Sequence, residues 1–142
     1  MKKTGIWLDK KMAYIIFMDV SGAEHMKIVL SKIEDFRVKG GSGTTFKGGP
    51  QDVIQDSRYL EREKHQYKDY FNEITQLLTD TDKILIFGPA EAGKKLKNEL
   101  LHSYPGLHAK VSKLIKTDSM TKNQMKAFVR DYYTPASTGT YD

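Results

Sequence analysis

Lys83-Ile84-Leu85-Ile86-Phe87-Gly88-Pro89-Ala90 is the stretch on which the fold turns. Its four consecutive apolar residues show no alternation, as expected of a strand covered on both faces. Gly88-Pro89 breaks the strand, and residues 90–101 go on as a helix with Ala92, Leu96 and Leu100 on one face. A doubly covered strand running at once into a helix fits a parallel strand–helix crossover.

Upstream, residues 51–78 form a long charged helix. Tyr59 or Leu60, then Tyr67, Phe71, Ile74 and Leu78, recur at spacings of one helical stripe. Pro50 suits the first turn, Asp52 complements the dipole there, and Thr79-Asp80-Thr81-Asp82 ends the helix. Earlier still lie three strand patterns at 5–8, 13–18 and 24–30. The turn signals Asp9-Lys10-Lys11 and Asp19-Val20-Ser21-Gly22 separate them, which gives an antiparallel meander. Downstream, Tyr104-Pro105-Gly106 reads as a turn and 107–111 as a strand. Thr117-Asp118-Ser119 is the expected cap of a last helix over 120–132 with Met125, Phe128 and Val129 inward. The order βββαβαβα predicts an α/β, ribonuclease H-like three-layer domain with a mixed five-stranded sheet. One domain is expected over 1–134, with a mobile glycine-rich loop at 40–50 and a flexible tail at 135–142.

The chain has 142 residues, suited to one core, and a net charge of +5. Residues 1–50 carry nine basic and five acidic side chains, residues 51–80 four and seven, and residues 81–142 ten and six. The basic excess therefore lies in the two ends of the chain. It fits a polyanionic partner, RNA above all, or lysine-rich solubility. No apolar run approaches the ~18 residues of a membrane span, and the N-terminus lacks the pattern of a signal peptide. The absence of cysteine excludes disulfides and thiolate metal sites and fits a reducing compartment. A cytoplasmic protein without membrane partners is expected.

Between Gly40 and Gln51 the chain reads Gly-Gly-Ser-Gly-Thr-Thr-Phe-Lys-Gly-Gly-Pro-Gln, with five of its eleven glycines in twelve positions. Gly48-Gly49-Pro50-Gln51-Asp52-Val53 is followed by Arg58-Tyr59-Leu60-Glu61-Arg62-Glu63-Lys64-His65-Gln66-Tyr67. This stretch resembles the middle domain of archaeal and eukaryotic class I peptide release factors and Pelota-like translational machinery proteins, in which a Gly-Gly-Gln loop precedes a charged helix. The hairpin around 13–22 and the strand 84–88 extend the resemblance over most of 5–132, and stand-alone single-domain relatives look closest. It implies a mobile loop that reaches RNA. The family's glycines match Gly48 and Gly49, while its water-positioning glutamine falls on Pro50, and Gln51 stands one residue further on. Proline fixes φ and removes a backbone N–H, so catalysis is not expected to carry over.

The resemblance therefore implies a noncatalytic, translation-associated ribosome- or RNA-binding accessory protein, with the ribosome or structured RNA or tRNA as partner and no cofactor. A peptidyl-tRNA ester hydrolase acting through Gln51 in ribosome rescue, and a protein-interaction scaffold without nucleic acid, remain as alternatives. Lys39, Lys47, Arg58, Arg62, Lys64 and His65 are the candidate RNA contacts, and Phe46 and Tyr59 offer stacking surfaces. A solvated helix face with Glu61 near Lys64 and His65 is the competing reading of the last two. Lys94 and Lys95, behind the exposed N–H groups that follow Gly88-Pro89, form a candidate phosphate site without the spacing of a P-loop. Asp9, Asp19 and Asp118 read as turn and cap residues rather than nuclease ligands, and the four histidines show no metal-ligand spacing.

Overall fold

Strands β1 (Lys3–Leu8), β2 (Met12–Met18) and β3 (Glu24–Leu30) form the expected antiparallel meander. The structure, a computed structural model, describes residues 2–19, 24–33 and 50–134, with side chains for all of them but 50–57 and 90. Asp9 builds the first turn: its Oδ1 accepts from the backbone N–H groups of Lys11 (2.8 Å) and Met12 (2.9 Å). The long helix α1 (Pro50–Gln76) leads to β4 (Lys83–Gly88), which pairs parallel to β1 with Ile6 beside Ile86. Helix α2 (Ala90–Ser103), the short α3 (Pro105–His108), strand β5 (Val111–Lys116) and helix α4 (Lys122–Tyr133) complete the order.

The sheet runs β3-β2-β1-β4-β5, mixed and five-stranded, in a ribonuclease H-like arrangement. Strand alternation divides the core in two. Ile6, Leu8, Ile15, Ile84 and Ile86 pack under α1 and α2 against Phe71, Ile74, Ala92 and Leu96. Trp7, Ile16, Leu85 and Phe87 face Met125 and Val129 of α4 on the other side. Helices thus cover both faces, and β4 is buried from Ile84 to Gly88.

Gly88 makes the strand-to-helix corner possible. Its φ is +134°, and a Cβ there would lie 2.6 Å from the Leu8 carbonyl oxygen. Only glycine fits both the angle and the approach. Gly5 gives way to α4 in a similar sense, since a Cβ there would come within 2.3 Å of a Val129 methyl.

Two expectations are corrected. The fifth strand is not at 107–111 but at Val111–Lys116. Pro105, at the first position of α3, pre-sets a helical turn, and Lys110 N–H closes onto Leu107 O at 2.9 Å. The cap of the last helix is Thr121 rather than Thr117-Asp118-Ser119. Thr121 and Gln124 form a reciprocal capping box, with bonds of 3.1 and 2.9 Å.

Candidate nucleic-acid interface

Helix α1 carries most of the candidate side chains, and its buried stripe decides where they point. Tyr59, Tyr70, Phe71 and Ile74 are buried, and Leu78, just beyond the helix, continues that buried side. Tyr59, not Leu60, begins the stripe: Tyr59 is buried, whereas Leu60 is 58% exposed. The opposite side presents Arg58, Arg62 and His65, all exposed, at spacings of four and three residues. Asp69 continues that stripe and closes it with an acid. Lys64 stands apart from the arginines: it turns toward α2 and lines the groove between the two helices, with His65 at the edge. The basic cluster of the sequence is therefore two surfaces, an arginine stripe and a lysine flank.

The N-terminal half of the helix is anchored to the β1–β2 turn. Lys10 Nζ donates to Tyr59 Oη at 3.0 Å and lies 3.0 Å from Glu63 Oε2, while Tyr59 Oη donates to the same carboxylate oxygen at 2.8 Å. The Lys10 ammonium also lies 5.8 Å from the Tyr59 ring centre. About two turns on from Glu63, Tyr70 Oη donates to the Asp9 carbonyl at 2.9 Å. Desolvation pulls the Lys10 ammonium down, but its bonds to Tyr59 and Glu63 and the Glu63 charge outweigh this and hold its pKa above the ordinary lysine value. Desolvation likewise pushes Glu63 up; the bonds from Tyr59 and Lys10 and the charges of Lys10 and Lys95 win, and its pKa falls below the usual carboxylate value. Tyr67 is raised to about 12, chiefly by burial, with the Lys10 charge opposing and Glu63 adding. Sequence reasoning missed this clasp. Lys10 and Tyr59 are 49 positions apart, and no short-range pattern connects them.

Lys94 and Lys95 diverge, because adjacent helical residues point ~100° apart. Lys95 Nζ lies 5.3 Å from the centre of the Tyr67 ring, and Lys94 is exposed. The start of α2 carries Glu91, which already complements the dipole there. A crevice of about 380 Å³ at the carboxyl ends of β1 and β4 is lined by Asp9, Glu63 and Glu91 against Lys10 and Lys95. With three carboxylates to two ammonium groups, it does not favour an anion. Among the described residues no three His, Cys, Asp or Glu side chains gather as a metal ion would need.

Pro50 and Gln51 begin α1, so the Gln51 backbone belongs to the first helical turn. Lys39, Phe46, Lys47, Gly48 and Gly49, and the tail at 135–142, lie outside the described residues. No helix among the described residues is long and apolar enough to cross a membrane.

No protein-family model matches the chain, and no curated protein matches its sequence. Solved structures do match. Pelota of Archaeoglobus fulgidus superposes with a TM-score of 0.55 at 12% identity, over 92% of this chain and 32% of that one. Pelota of Thermoplasma acidophilum gives 0.56 at 14% identity over 91% and 32%. The archaeal translation termination factor aRF1 gives 0.51 at 13% identity over 89% and 32%. The chain thus spans about a third of each of these proteins and shares the fold of that third.

Proposed function

We propose that the chain is a noncatalytic, translation-associated module that docks on ribosomal or structured RNA. One observation carries the reading: nearly the whole chain has the fold of a part of aRF1, a translation termination factor, and of Pelota. In the sequence a glycine-rich segment runs directly into α1, as the resemblance to the release-factor middle domain would require of an RNA-reaching element. Support comes from Arg58 and Arg62, exposed one turn apart on a helix fastened to the sheet by the Lys10–Tyr59–Glu63 clasp. Guanidinium groups on a rigid helix suit phosphate oxygens, which position a protein on RNA without reading sequence. Pro50 at the head of α1 and Gln51 inside its first turn favour a binding role over ester hydrolysis.

Sedimentation of cell lysate through sucrose gradients at low and high salt tests this. The protein is expected with ribosomal fractions at low salt and free at high salt, because phosphate contacts release counterions. Arg58→Ala with Arg62→Ala is expected to lower the salt at which it dissociates. Absence from every ribosomal fraction at low salt sinks the reading. Peptidyl-tRNA ester cleavage that Gln51→Ala abolishes would replace it with the hydrolase.

A further inference from the structure

Among the described residues, α1 and α2 cover one side of the sheet and α4 alone covers the other. Helix α4 crosses that side diagonally. Trp7 Nε1 donates to Asp118 O at 3.4 Å, which sets the entry to α4 beside the end of β1. Arg130, in the last turn of α4, donates from Nη1 to Glu24 Oε2 at 2.6 Å, at the start of β3. The opposite corner of β2 and β3 is left bare. Register puts Ile16 beside Met26, Tyr14 beside Ile28 and Met12 beside Leu30, all on the α4 side. Ile16 is buried under the helix, whereas Ile28 and Leu30 are 47% and 61% exposed. The corner is two strands wide, roughly 10 Å, which is the diameter of one helix.

The wall beside this corner is basic. Lys122, Lys126 and Arg130 recur every four residues on one flank of α4, and the Arg130–Glu24 bond turns that flank toward β3. Phe128, on the other flank, stacks on Phe87 of β4 with ring centroids 4.6 Å apart. Glu24 is committed to Arg130, Asp118 lies ahead of the helix, and Asp131 turns ~100° away from Arg130. Among the described residues neither Lys122 nor Lys126 has an ion pair. The corner itself, Met12, Tyr14, Ile28 and Leu30, carries no charge.

We propose that this corner docks a helix of a partner protein, with an apolar ridge on Met12, Tyr14, Ile28 and Leu30 and acids turned toward Lys122 and Lys126. Charge selects the partner. An acidic margin meets two lysines over a floor without carboxylates, and a basic margin meets like charge. The shape suits a helix, because α4 stands one helix thickness above the corner and an occupant beside it meets floor and wall together. A second copy suits it less well. It brings the same lysines, and its α4 presents exposed Asn123, Gln124 and Asp131 in place of an apolar ridge. The corner lies on the opposite side of the sheet from α1, so the inference does not rest on the RNA reading.

Fluorescence anisotropy with the full chain tests it. The probe is a labelled synthetic helix of roughly 16 residues, with leucines at heptad spacing and glutamates along one margin. A second probe carries lysines in place of the glutamates. The glutamate helix is expected to bind about tenfold tighter than the lysine helix, and Leu30→Asp to weaken it by about tenfold. Lys122→Glu with Lys126→Glu should reverse the preference. Lys113→Glu with Lys116→Glu, an equal change of charge on exposed positions of β5, should leave it in place. Leu30 is exposed and an acid at 122 complements the α4 dipole, so circular dichroism melts should match the parent. Equal binding of the two probes overturns the proposal, as does a Leu30→Asp protein that melts normally and binds unchanged. So does a reversal by the β5 pair, which would make the preference one of net charge. A dimer in sedimentation equilibrium that Leu30→Asp abolishes would give the corner to a second copy instead. Binding of anionic vesicles or an RNA oligonucleotide that Leu30→Asp removes, with peptide binding intact, would give it to those. Arg58→Ala with Arg62→Ala should leave peptide binding unchanged, and Leu30→Asp should leave ribosome sedimentation unchanged, so either reading can fail without the other.

Discussion

Single side chains in this protein carry tasks that their neighbours cannot take over. Gly88 holds a φ of +134° with its Cα against the Leu8 carbonyl. Gly88→Ala adds both backbone strain and a contact with an immobile backbone atom, and should cost roughly 1–3 kcal/mol in urea unfolding. An unchanged midpoint would mean that the corner relaxes freely. Glu63 illustrates a different dependence. Its folded pKa lies below the usual 4.5, so the stability it supplies is present above that value and lost as pH falls through the folded one. Lys10 is raised above 10.5, so its share is present below that pH and fades only as pH climbs through the raised value. Glu63→Gln should therefore flatten the acid limb of the stability profile below about pH 5. It should also lower stability at pH 7 by about 1 kcal/mol. Parallel acid limbs for parent and variant would remove Glu63 from the account.

At the scale of elements, α4 shows what was legible in the sequence and what was not. Its inward residues Met125 and Val129 follow from helical spacing, and both are buried. Its start was set by Thr-x-x-Gln at 121–124, a signal present in the sequence but outweighed by the more conspicuous Thr117-Asp118-Ser119. The fifth strand was displaced for a related reason. Leu107 and Val111 suggest an extended segment on their apolar character alone, whereas Pro105 commits the chain locally to a helical turn. The strands β1, β2 and β4 are legible because their apolar runs end at aspartate or at Gly88-Pro89, and β3 because it alternates. The Lys10–Tyr59–Glu63 clasp is not, since it exists only after β1 and α1 have packed. Thr121→Ala should cost about 1 kcal/mol, the usual worth of an N-cap, and show as a lower thermal midpoint. If instead Thr121→Ala is neutral and Ser119→Ala destabilises, the helix start has been misassigned.

Among the described residues, the sheet order β3-β2-β1-β4-β5 puts β3 and β5 at the margins. An open edge presents unpaired N–H and C=O groups to any passing strand. On β5, Lys113 and Lys116 are exposed. The β3 edge is the more hazardous, since Ile28 and Leu30 are 47% and 61% exposed on one side of it. Lys27 sits at the centre of β3, opposite Ile15 and exposed. If two copies paired antiparallel about that centre, Lys27 would face its own counterpart, and like charges directly opposed disfavour pairing. Lys27 thus protects the edge through charge while adding nothing to the core. Lys27→Val removes the repulsion and supplies a residue that suits strands. Light scattering should then give a higher average mass than the parent at the same concentration, rising as the protein is concentrated. The thermal midpoint of the dilute variant should stay within a few degrees of the parent's, because the substituted side chain lies outside the core. A Lys27→Val protein with the parent's mass at every concentration would mean that the edge is guarded by something other than this charge.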